Sequence, residues 1–192
     1  MQNANTTKVV TGKVRFCYAN VFEPVQIDEQ SSLKYSVCIL IPKSDTATLA
    51  RVRAAIQAAA ESGKAKIADK SGRIPANLKN PLRDGDIDRA DDPNFANCYF
   101  INANSSRKPS IVDASLNPII DKEEFYSGCY GRASINFYAY NVSSKGIAAG
   151  LNNLQKLEDG ECLAGGSTAE EDFGGENAIG GDPFAASSDP LF

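Results

Sequence analysis

Between Tyr130 and Val142 the chain alternates residue by residue, with Ala133, Ile135, Phe137 and Ala139 on one side and Arg132, Ser134, Asn136, Tyr138 and Tyr140 on the other. A period of two means a strand with one face in a core and one face outside. The rest of the pattern agrees with a sheet protein. From Val9 to Phe22, Val14, Phe16 and Tyr18 alternate with Lys13, Arg15 and Cys17, which predicts a long strand with an apolar and a basic face, closed by Glu23-Pro24. Leu33 to Ile41 places Tyr35, Val37, Ile39 and Ile41 on one face and Ser36, Cys38 and Leu40 on the other, as in a strand covered on both sides. Ser44 or Asp45 is positioned to cap a helix reaching about Ser62, with Leu49, Val52, Ile56 and Ala59 as its apolar stripe and Gly63 as its stop. Lys64 to Ala96 has no sustained period and reads as one long loop of the kind that is functional or mobile. Strands resume at Cys98–Asn104, continue briefly through Ile111-Val112, and end with Ile147–Leu157, which Gly150 interrupts.

This order contains no βαβ alternation and argues against a parallel sheet. It predicts a mainly β protein: a small antiparallel β-barrel with one main α-helix and a long elaborated loop. The oligonucleotide-binding (OB) barrel is one member of that group.

Charge divides the chain. Nine of the 24 acids and none of the 20 lysines and arginines fall in residues 158–192, so residues 1–157 carry about +5 and the remainder about −9. The second segment is spaced by Gly165-Gly166, Gly174-Gly175 and Gly180-Gly181 and repeats a motif, Gly181-Asp182-Pro183-Phe184 and then Ser188-Asp189-Pro190-Leu191-Phe192. Its composition is that of a disordered acidic tail following one domain, 1–157. A Phe beside a terminal carboxylate suits a basic-rimmed apolar pocket on a partner. Five separated cysteines without C-x-x-C read as reduced thiols of a cytoplasmic protein. The sequence shows no apolar leader region and no membrane span, which predicts a soluble, unexported chain. Histidine is absent, which removes Ser-His-Asp and Cys-His catalysis and His-ligated zinc.

The polar face of the Tyr130–Val142 strand carries Arg132, Asn136, Tyr138 and Tyr140, flanked by Tyr126, Tyr130 and Lys145. Phenol rings stack on bases with little sequence preference, and cations follow the phosphates. Lys13 and Arg15 on the first strand, Tyr99, and Arg107-Lys108 after the Cys98 strand supply further rings and charges for a nucleic-acid groove; packing beneath the helix or loop is the competing fate of the tyrosines. Asp84, Asp86 and Asp88 have calcium-loop spacing, but Arg89 and Phe95 occupy the positions where glycine and glutamate are required, so the calcium match fails. A hydrated loop paired with Arg83 and Arg89 is the simpler reading, with a metal-dependent nuclease as the alternative.

The run Tyr126-Ser127-Gly128-Cys129-Tyr130-Gly131-Arg132 through Ile135–Tyr140, then Lys145-Gly146-Ile147-Ala148 and Gly150–Asn153, resembles bacteriophage single-stranded-DNA-binding proteins. So do Pro81–Asp86, Gly12–Phe16 and Lys108-Pro109. The resemblance implies an OB fold, no catalysis and no cofactor, and coating of single strands during replication or recombination in an infected bacterial host's cytoplasm. It also implies that an acidic tail ending in Phe recruits replication or recombination proteins and competes with DNA. In this chain Asp182, Phe184, Asp189, Pro190, Leu191 and Phe192 stand in those places, although the extreme end is less densely acidic than in bacterial members. A homodimer is compatible with the pattern, as is a replication adaptor acting through the tail.

Overall fold

The computed structural model describes residues 6–26 and 31–163. Its strands are β1 (Lys8–Val10), β2 (Val14–Val25), β3 (Lys34–Pro42), β4 (Arg83–Asp84), β5 (Cys98–Ser105), β6 (Ser110–Val112), β7 (Tyr130–Val142) and β8 (Ser144–Glu158). The helices are α1 (Thr46–Ser62) and the single turns α2 (Lys64–Ile67) and α3 (Gly85–Asp88), with a 3-10 turn at Pro93–Phe95.

Strands β2, β3, β5, β8 and β7 pair in that order, and β7 returns to β2 through Val14↔Gly131 and Arg15↔Tyr130, closing a barrel. All of these pairings are antiparallel except β5–β8, where Ala103 and Asn104 run parallel to Ala149 and Gly150. The parallel seam is short, and β4 pairs beside it with Phe100 and Tyr99. Strand β1 extends the edge of β7, and β6 lies parallel to β8. The barrel is antiparallel as expected, apart from two short parallel strand pairings, both made by β8.

Alternation in β7 holds in the folded chain: Ala133, Ile135, Phe137 and Ala139 are buried with Phe16, Ile39, Ile101 and Leu151. Helix α1 packs Leu49, Val52, Ala55 and Ala59 against the same interior, and Ile56 sits at its margin. Asp45 caps the helix, its carboxylate accepting from the Thr48 amide at 3.0 Å. The predicted Val9–Phe22 strand is two strands, broken at Thr11–Lys13, where the Gly12 amide donates to Thr48 Oγ1 at 2.9 Å. The predicted break at Gly150 does not occur. Strand β8 runs through that glycine, beside which the Asn136 side chain packs too closely for a Cβ.

The long non-periodic segment is structured. It contributes α2, β4, α3 and the 3-10 turn, and Lys79 bridges to Gly146. At the other end, residues assigned by composition to the tail lie against the barrel. Glu158 ends β8 and pairs with Lys13, Asp159 pairs with Lys156 at 2.7 Å, and the Leu163 amide donates to the Ser127 carbonyl at 2.8 Å. Composition registers charge and glycine but not these long-range contacts. Asp182, Phe184, Asp189, Pro190, Leu191 and Phe192 lie outside the described residues.

Candidate nucleic-acid interface

The outward faces of β2, β3 and β5 form a second apolar layer, separate from the barrel interior. Cys17 faces Cys38, Leu40 faces Phe100, and Phe95 from the 3-10 turn packs edge-on against Phe100 with ring centroids 5.1 Å apart. Both faces of these strands are thus covered, as the β3 pattern predicts. Burial pushes the Cys17 thiol up to about 11 and the Cys38 thiol up to about 12, so this floor is uncharged at neutral pH.

Three clefts open over the floor. One, of about 410 Å³, lies between Lys13, Arg15 and Tyr130 on one side and Asn94 and Ala96 on the other. The next, about 420 Å³, shares Asn94 and reaches Tyr18, Ser127 and Leu163. The third, about 250 Å³, shares Tyr18 and is lined by Ser36, Arg89, Asn102 and Asn104. The shared side chains make a continuous groove with an apolar bottom and polar rims.

Cations lie against the rings of this groove. Lys13 Nζ and Arg15 Cζ sit 5.2 and 5.5 Å from the centre of the Tyr130 ring. Arg89 lies 5.7 Å from Tyr18 and 5.1 Å from Phe95, and Arg83 lies 5.0 Å from Phe100. Arg15 is also fixed by donating to the carbonyls of Gly128 and Glu161, at 3.2 and 3.1 Å. Phe95 and Phe100 are buried and serve only as floor, whereas Tyr18 and Tyr130 keep accessible ring surface that, with the remaining N–H donors, suits a ligand carrying both bases and phosphates.

Alternation assigns Tyr18 to the apolar face of its strand, but the structure places it outside, 54% exposed. The register of β2 against β3 shifts between Cys17 and Asn20, and Tyr18 adopts φ 47°. A bulge inserts a residue and reverses the facing of the residues beyond it, and period-two reading carries no signal for it. Arg89 likewise escapes a reading by pattern because it stands among acids. Arg83 does bridge Asp88 as expected, but Arg89 lies over rings.

The other sequence candidates scatter. Of the β7 strip only Tyr130 meets the groove, where β7 joins β2. Arg132, Asn136, Tyr138 and Tyr140 follow the outer surface of β7, around the barrel from β3 and β5. Arg132 donates to the Thr11 carbonyl at 3.1 Å, and Tyr138 remains 42% exposed. Tyr126 is half-buried, and its hydroxyl bonds Asp159 and Gly160, so it anchors the segment after β8. Tyr99 packs against the interior core between Lys43 and Arg53. Arg107 and Lys108 occupy the turn after β5, just beyond the Asn104 end of the groove, with Lys108 5.6 Å from the Phe22 ring. Lys145 donates to the Ala68 carbonyl at 2.6 Å.

The three acids of the failed calcium match hold the loop together. Lys43 bridges Asp84 and Asp86, each at 2.7 Å, and the Asp86 carboxylate accepts from the Asn97 amide at 2.9 Å. The side-chain hydrogen bond from Lys43 holds the Asp86 carboxyl below its usual range.

A closed five-stranded barrel with one parallel seam, in strand order β2-β3-β5-β8-β7, defines the OB class. Over residues 7–183 the sequence matches the family described as Enterobacter phage Enc34, ssDNA-binding protein, and the chain belongs to that family. Protein p50 of Acyrthosiphon pisum secondary endosymbiont phage 1 is 32% identical over 171 residues, covering 86% of this chain and 92% of its own length. Among solved structures, the fold resembles the single-stranded DNA-binding protein of bacteriophage Enc34 in complex with ssDNA, with a TM-score of 0.68 and 24% identity over 82% of this chain and 90% of that one. It also resembles gp2.5, a single-stranded DNA-binding protein encoded by bacteriophage T7, with a TM-score of 0.61 and 13% identity over 84% and 97% of the two chains.

Proposed function

We propose that this chain binds single-stranded DNA in the β2–β3–β5 groove without catalysing a reaction on it, coating strands exposed during phage replication or recombination. The observation that carries the reading is the bulge that turns Tyr18 out of its strand, against Arg89, over an apolar floor that continues to Tyr130, Lys13 and Arg15. Bases stacking on the two tyrosines and phosphates tracking the cations would give affinity with little sequence preference. Arg107 and Lys108 extend the cationic rim at the Asn104 end.

The acidic segment is proposed to act on the same groove. Leu163, the last described residue, lines the middle cleft, and the sequence continues from it to Glu170, Glu171, Asp172, Glu176, Asp182 and Asp189. Acids tethered there compete with phosphates for the rim, while Phe184 and Phe192 are left to recruit replication or recombination proteins.

Fluorescence anisotropy with a labelled single strand tests the main reading. Affinity is expected to fall as salt rises, and Tyr18→Ala together with Tyr130→Ala is expected to weaken binding by about 2 to 6 kcal/mol at about 1 to 3 per stacked base. Binding that ignores both salt and the double substitution would end the groove assignment, and cleavage of the strand with magnesium or manganese would end the non-catalytic one.

A further inference from the structure

Residues 64–79 wrap the tip of the β7–β8 hairpin. Helix α2 buries Ile67, Lys145 Nζ donates to the Ala68 carbonyl at 2.6 Å, and the Ile147 amide donates to the Lys79 carbonyl at 3.0 Å. Within this wrap Lys64, Lys66, Lys70, Arg73 and Lys79 are all exposed, and Lys145 stands beside them. The wrap contains one acid, Asp69, whose carboxylate is occupied by the Ser71 amide and hydroxyl and the Arg73 amide. Glu61, at the end of α1, is the acid just before it in sequence.

Among the described residues none of these six cations forms an ion pair with a carboxylate. Between Pro75, Asn77 and Lys79 on the wrap and Ser144 and Lys145 on the hairpin lies a cleft of about 300 Å³. Six cations gathered around the single carboxylate of Asp69 repel one another on balance, and a polyanion relieves that cost. Tyr140 is half-buried with its hydroxyl against Gly146, and Tyr138 lies two residues before it on β7, so what the six cations themselves offer is recognition of phosphate.

A short link joins this surface to the groove floor. Four residues after Lys79, Arg83 lies over Phe100 of the groove floor, a distance of at most about 14 Å along an extended chain. We infer that the basic cleft at the β7–β8 tip is a second contact site for the phosphate backbone of the bound strand, engaged by the part that leaves the groove past Arg83. The inference rests on the groove reading. It assigns the segment from Lys64 to Lys79 a role in how much DNA one protein covers.

The test compares the full chain with a Lys66→Ala, Lys70→Ala, Arg73→Ala variant on two labelled oligonucleotides, one long enough only to fill the groove and one several times longer. All three side chains are exposed, and melting curves check that the fold is kept. The short strand is expected to bind both proteins equally. The long strand should bind the variant about tenfold more weakly at low salt, with the slope of log K against log salt reduced by about 2, from about 0.7 per cation removed. Equal affinity and slope on the long strand would overturn the second site, and so would an equal loss on both strands, which would merge these cations into the general field of the groove. Tyr18→Ala, by contrast, should weaken both lengths, so failure of the groove reading is recognised separately.

Discussion

Tyr18 has a backbone angle of φ 47°, in the left-handed region that costs a non-glycine residue about 1 to 2 kcal/mol. The ring it projects is more than half exposed, so packing recovers little of that cost. Strain kept at an exposed aromatic points to use of the ring. Tyr18→Gly separates the two effects: the fold should be as stable as the parent or up to about 1 kcal/mol more stable, while single-strand affinity falls by about 1 to 3 kcal/mol. Thermal melts and anisotropy on the same sample check it. A parallel loss of stability and binding would make Tyr18 a structural residue.

Among the elements, the start of α1 ties the β1–β2 turn to the barrel. Asp45 accepts the Thr48 amide, and Thr48 Oγ1, fully buried, accepts the Gly12 amide. The Thr48 hydrogen bonds hold the Asp45 carboxyl below its usual value of 3.8. A carboxyl lowered on folding contributes stability above its unfolded value and loses it as pH falls through the folded one. Asp45→Ala should therefore cost about 1 kcal/mol at neutral pH, and that difference should shrink below about pH 4, as read from denaturation midpoints. Closure of the barrel depends on Gly131, where an added Cβ would lie 1.9 Å from the Gln155 carbonyl oxygen and 2.8 Å from the Phe16 ring. Gly131→Ala should destabilise by about 1 to 3 kcal/mol or more, measured by chemical denaturation, because backbone on one side and a buried ring on the other leave no room to relax.

For the whole molecule, the boundary between body and tail decides what a truncation means. Ending the chain after Leu163 keeps the Asp159–Lys156 pair, the Tyr126 hydrogen bonds and the Leu163 contact with the groove floor. That truncation should tighten single-strand binding, most at low salt, with an unchanged melting temperature. Ending it after Leu157 should lower the melting temperature as well, since it strips the segment that Arg15 and Tyr126 hold. Calorimetry and anisotropy on both truncations distinguish release of a competitor from loss of a groove wall.

The sequence by itself determined what is local or periodic: the α1 span with its Asp45 cap, the β7 alternation, the absence of histidine, and the division of charge. It also put Lys13, Arg15 and Tyr130 into one candidate groove, but together with Arg132, Tyr138 and Tyr140, which the fold places elsewhere. Only the tertiary structure decided that Tyr18 faces the groove, that Tyr99 packs half-buried against the core, and that Tyr138 and Tyr140 lie around the barrel from β3. It alone showed that residues 89–96 form part of the groove wall, that residues 64–79 wrap the β7–β8 tip, and that residues 158–163 are packed. Each of these depends on a bulge, a ring closure or a contact between distant residues, and periodicity describes neighbours along the chain, not the curvature that brings remote strands together.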